Sequence, residues 1–121
     1  MSAPQTQLAS GMTDIWQRYR PLIEERVAQI ADAVHLLTLN QLPSDKRHEA
    51  GGNAHKLAGN LGTFGHPTGS ECARTIELKL LADAPIAPTE VEELSRLAAQ
   101  LRIVIQEIAA SMDPAASLDH A

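Results

Sequence analysis

The chain has 121 residues, enough for one domain with a modest core. Hydrophobic residues make up 44% but aromatic residues only 2%, so Leu, Ile, Val and Ala must fill that core. A formal net charge of -5 leaves no basic surplus for nucleic acid or an anionic membrane.

Residues 1–11 are small and polar and read as a frayed tail. They carry neither a basic n-region nor an apolar h-region, so no signal peptide is expected. No stretch of ~20 apolar residues follows anywhere, so nothing is expected to span a membrane. Thr13 and Asp14 suit a helix start. Trp16, Tyr19, Ile23, Val27, Ile30, Val34 and Leu37 then recur at threes and fours, an amphipathic stripe. Pro21 interrupts it, which predicts a short helix near 13–19 and a longer one from about 21 to 39, or the two run nearly continuous. Asn40 to Pro43 is a break. Ser44 is placed to cap the next helix, with Asp45 in its first turn.

That helix is expected over about 45–64. Ala50, Ala54, Leu57, Leu61 and Phe64 share one apolar arc, its buried face. His55 lies away from the arc. On its side fall His48, Gly51, Gly52, Ala58, Gly59 and Gly62. Each interior glycine costs a helix roughly 1 kcal/mol against alanine. So many of them suggest that something approaches the backbone beside His55. Gly65 suits a helix terminator, and Pro67 after His66 reinforces the stop.

Thr68 to Glu71 has capping-box spacing before a helix of about 69–82, which buries Cys72, Ala73, Ile76 and Leu80. The single cysteine, Cys72, excludes an internal disulfide and fits a reduced, cytoplasmic setting; it reads as a small core residue. Ala84 to Pro88 is a second break. Thr89 to Glu92 again spells a capping box. The last helix, about 90–112, carries Val91, Leu94, Ala98, Leu101, Ile105, Ile108 and Met112. Residues 113–121 read as a second tail. No strand-like alternation and no internal repeat appear.

The expected fold is all-α: an antiparallel up-and-down four-helix bundle over 12–112, with a short additional N-terminal helix. Heptad spacing in the last helix also admits a coiled-coil dimer, but the other helices offer partners within the chain, which favours a monomer.

The stretch Ala54-His55-Lys56-Leu57-Ala58-Gly59-Asn60-Leu61-Gly62-Thr63-Phe64-Gly65 resembles the histidine-containing phosphotransfer (Hpt) domain of two-component phosphorelays. That family is a four-helix bundle with an H-x-L-K-G motif followed by small residues. The resemblance continues through Gly69-Ser70-Glu71-Cys72-Ala73-Arg74-Thr75-Ile76-Glu77 and is strongest to bacterial versions often joined to receiver domains. It implies that His55 accepts a phosphoryl group from a receiver aspartate and passes it to another receiver. Response-regulator receiver domains, and a hybrid histidine kinase, are the implied partners. Gly59 and Gly62 would give clearance for docking, and Lys56, Asn60 and Thr63 would form the rim. The family usually carries lysine three residues after the histidine; here that position is Ala58, and Lys56 stands elsewhere.

No P-loop, kinase-type ATP site or receiver aspartate cluster is present, so a phosphocarrier without kinase activity of its own is expected. It would need no cofactor; Mg²⁺ would belong to the partner. His48 and His55, seven residues apart, are too far apart for an easy shared metal site. His35 reads as surface, Glu71 as a cap, Glu77 as a family-typical polar position. The run Asp45-Lys46-Arg47-His48-Glu49 reads as a solvated face. Two rival readings stand beside the carrier: a bundle that binds a receiver without being phosphorylated, and an unrelated metal-binding bundle.

Overall fold

In a computed structural model, the backbone of residues 3–112 is described, with side chains from Gly11 onward. Four helices follow one another: α1 (Ala3–Thr38), α2 (Ser44–Thr63), α3 (Pro67–Leu81) and α4 (Pro88–Met112). No strand occurs among the described residues. α1 packs on α2 and α4, and α3 packs on the same two. Short connections between such neighbours make an antiparallel up-and-down bundle, the class that the periodicity predicts. No helix among the described residues is long and apolar enough to cross a membrane.

The apolar stripes close on one core. Ile23, Ile30, Leu57, Leu61, Ile76, Leu94, Leu101 and Val104 are fully buried. Trp16 and Phe64 meet edge to face at one end, with ring centroids 5.2 Å apart, an arrangement that aromatic quadrupoles favour. Tyr19 departs from the expected stripe: it is 43% exposed. Val104 joins the core although the heptad reading of α4 omitted it.

The N-terminal part differs from expectation. There is no separate short helix; α1 is continuous through Pro21. Pro21 is exposed, so the lost hydrogen bond is to the Gln17 carbonyl on a side that water can reach. Residues 3–11, read as tail, form the first turns of α1. Extending an existing helix is far cheaper than nucleating one, and Pro4 sits in the first turn, where proline is tolerated. The second expected tail, 113–121, lies outside the described residues, as do residues 1–2.

Helix ends were only partly legible. α1 stops with Asn40 in the left-handed region (φ 55) and α2 with Gly65 (φ 73). In each case two bonds close the end: Gln41 N to Leu36 O (2.9 Å) with Asn40 N to Leu37 O (3.1 Å), and His66 N to Leu61 O (2.9 Å) with Gly65 N to Gly62 O (3.0 Å). This is the Schellman pattern, and it requires a residue that tolerates positive φ. The starts of α2, α3 and α4 fall one or two residues earlier than expected. Ser44 lies inside α2 and Pro43 is the N-cap, without a side-chain bond. α3 is capped by His66, whose Nδ1 accepts from the Gly69 amide at 2.9 Å. The box expected at Thr68–Glu71 does not form because the chain is already helical at Pro67. At α4, Glu90 reaches back to the Ala87 amide at 3.2 Å, half of a capping box shifted from Thr89.

α2 and α3 pack most intimately. A Cβ added at Gly51 would collide with the Leu81 side chain, 2.6 Å from its Cγ. Gly51 is therefore contact surface between helices and gives no clearance to His55. Arg47 is a second correction. Expected on a solvated face, its guanidinium instead spans the C-terminal end of α3. It donates to the carbonyls of Leu80 (2.8 Å), Lys79 (3.3 Å), Ala82 (2.6 Å) and Ala84 (2.8 Å). A cation there satisfies orphan carbonyls and suits the helix dipole. Arg47→Ala is expected to cost about 2 kcal/mol, seen as a fall of roughly 8 °C in Tm by circular dichroism. Arg47→Lys should recover little, since a point charge cannot serve four carbonyls. A melting curve unchanged in Arg47→Ala would disprove this cap.

Cys72 is buried, as its position on the apolar stripe predicts, and its thiol donates to Leu97 O at 3.3 Å. Burial pushes the thiol up from 9.0 to about 11. A thiol that holds its proton longer when folded stabilises the fold fully below pH 9, and that contribution is lost as pH rises through about 11. Native Cys72 should therefore react with a thiol reagent at pH 8 at least about 100-fold more slowly than the urea-unfolded chain. Equal rates in the two states would show that the thiol is not held this way.

Candidate functional site

The middle of α2 presents two faces. Ala50, Ala54, Leu57 and Leu61 enter the core. His55 stands outside it, its side chain 73% exposed. α3 runs alongside and contributes Glu77, whose carboxylate Oε2 lies 2.8 Å from His55 Nδ1. Glu77 is itself largely covered, with 18% of its side chain exposed. A neutral imidazole beside an ionised carboxylate carries its proton on Nδ1 and donates it there. Nε2 then keeps its lone pair and has no protein partner among the described residues.

An open depression lies around this pair. His55, Ala58 and Gly59 line it from α2; Ser70, Arg74, Glu77 and Leu78 line it from α3. The α3 residues follow helical spacing, so one face of that helix supplies all four. Ser70 fixes the floor, donating to Ala58 O at 2.8 Å. The space is real at two glycines near His55: a Cβ at Gly52 or Gly59 would meet nothing within 4 Å. At Gly62 it would meet only Ser70 Oγ, at 3.7 Å.

Other residues expected near the histidine lie apart from the depression. Asn60 Oδ1 accepts from Arg26 Nη1 of α1, which turns it to the opposite side of α2. Thr63 Oγ1 donates back to Gly59 O at 3.0 Å. Lys56 is exposed and does not line the depression. The imidazole's partner is therefore Glu77, not Lys56, Asn60 or Thr63. Glu77 sits 22 residues along the chain on another helix, and the family-like run 69–77 was its sole signal in the sequence. Glu71, expected as a cap, is exposed.

The remaining histidines do different work. His66 uses Nδ1 to accept from Gly69, so its ring proton lies on Nε2, 2.8 Å from Glu107 Oε2 of α4. It is a structural tie, with the tautomer opposite to that of His55. His35 and His48 are exposed. Among the described residues, no three His, Cys, Asp or Glu side chains gather to hold a metal ion. Lys79 joins α3 to α4 through Glu93 (3.3 Å) and Glu90 (3.4 Å). The hydrogen bond to Glu93 is the main cause that holds its ammonium above the usual lysine range.

No curated protein and no solved structure matches the chain. The family model described as "Hpt domain" matches residues 14–111, nearly the whole bundle. The chain belongs to the Hpt domain family, whose members carry phosphoryl groups in phosphorelays.

Proposed function

We propose that this chain is a phosphocarrier that accepts a phosphoryl group on His55 Nε2 from a receiver-domain aspartate and passes it to a second receiver. The observation that carries this reading is the bond between His55 Nδ1 and Glu77. It orients the ring, fixes the tautomer that exposes the Nε2 lone pair, and supplies a negative charge to balance the ring once it is phosphorylated. Phosphoryl transfer asks little more of a protein than an in-line nucleophile and charge compensation. Open space at Gly59 lets a partner's acidic pocket approach the histidine. In this reading Lys56, Asn60, Gly62 and Thr63 form the outer rim that the receiver meets. Mg²⁺ is held by that receiver, and the chain brings no cofactor of its own. A hybrid histidine kinase is a second source of phosphate, and the carrier works as a cytoplasmic monomer.

Ala58 favours one other reading, a scaffold that binds a receiver without being phosphorylated, since no lysine stands one turn after the histidine. Incubation with phosphorylated receiver domains separates the two. Acid-labile, base-stable phosphate on this chain supports the carrier. Tight binding without transfer from any receiver supports the scaffold.

A further inference from the structure

A phosphoryl group on Nε2 would stand close to the Glu77 carboxylate, the acidic group that lines the same depression. Two anions so close need a cation. Ala58 offers only a methyl group, and Lys56 lies about 100° round the helix from His55. Arg74 is the cationic side chain among those lining the depression. It stands on α3 one turn before Glu77 and one turn after Ser70, on the face turned toward α2. It is exposed, and no hydrogen bond or ion pair to it occurs among the described residues. Its long stem and planar fork suit phosphoryl oxygens, which a guanidinium binds in bidentate fashion. The small side chains opposite it, Ala58 and Gly59, leave the room such a fork requires.

We propose that Arg74 is the phosphoryl-binding cation of this site, supplied from α3 in place of one on α2. The inference rests on the phosphocarrier reading and assigns a residue within it. As the Nε2 lone pair forms the N–P bond, the P–O bond to the partner's aspartyl carboxyl breaks. That oxygen leaves with the bonding pair as carboxylate. No proton leaves Nε2, because the ring proton is on Nδ1 against Glu77. Arg74 binds the equatorial oxygens during transfer and the phosphoryl group afterwards, so it acts on both rate and lifetime.

The full-length chain would be phosphorylated in parallel by a phosphorylated receiver domain and by phosphoramidate, a small donor that needs no docking surface. Arg74→Ala should slow acceptance from both donors by about tenfold and raise the titration midpoint of the phosphoryl ³¹P signal. Arg74→Lys should recover part of each effect. Ala58→Lys in the Arg74→Ala background should restore acceptance by returning a cation from α2. If wild-type chain takes phosphate on His55 and Arg74→Ala matches it within twofold with both donors, the assignment to Arg74 fails while the carrier reading stands. A deficit confined to the receiver would likewise overturn it, because Arg74 would then serve docking. Absence of phosphate on the wild-type chain from either donor would overturn both readings.

Discussion

His55→Gln is expected to abolish phosphoryl acceptance and leave the bundle intact. Glutamine approximates the reach of the imidazole, but its amide nitrogen has no available lone pair. Loss should therefore be roughly 10³-fold or more, below detection in a single-turnover assay. The fold should not register the change. The side chain is 73% exposed and contributes nothing to the core, and such positions usually shift stability by about 0.5 kcal/mol or less. Acid-labile phosphate on His55→Gln at the wild-type level would place the acceptor elsewhere. His48 and His66 are then the residues to examine, and the geometry already argues against one of them. His66 has both nitrogens engaged, with Gly69 and Glu107.

The second large effect is expected at Glu77. Glu77→Ala removes the group that orients the ring, holds the proton on Nδ1 and balances the charge on the phosphorylated imidazole. Partners of this kind typically contribute about 10–100-fold, so single-turnover acceptance should fall by about that factor. Glu77→Gln should lie between, since an amide oxygen still accepts from Nδ1 but carries no charge. Binding of the receiver should change little, because the carboxylate is mostly covered. This separates Glu77 from rim residues such as Lys56, whose loss would act on docking first. Acceptance by Glu77→Ala within twofold of wild type would mean that the 2.8 Å contact has no part in the chemistry.

Helix number and type were legible in the sequence because burial imposes a period. Leu94, Ala98, Leu101, Ile105 and Ile108 recur at threes and fours, and all are buried. Gly65 was legible as a stop because a positive φ restricts the residue that can stand there. Helix starts were less so. Capping boxes at Thr68 and Thr89 competed with Pro67 and Pro88, which suit the first helical turn and moved each start upstream. Pro21 misled in the other direction. On an exposed face its missing donor costs little enough for a long packed helix to run through it.

The glycines teach the same lesson at the site. By helical projection, Gly51 and Gly59 lie on the same side as His55. Only packing separates them: Gly51 is pressed against Leu81, while Gly59 faces open space. His55 could be singled out from its own helix, since its exposure and small neighbours follow from local spacing. Its companions could not. Glu77 reaches it from α3, Arg74 of the same helix lines its depression, and Arg47 reaches from α2 to the far end of α3. A one-dimensional period encodes which face of a helix is buried. It carries no information on the rotation and rise of one helix against the next, and that register alone sets which distant side chains meet. The sequence by itself thus determined the bundle, its helices and the exposed histidine. The tertiary structure decided the carboxylate that holds the imidazole and the arginine that shares its depression.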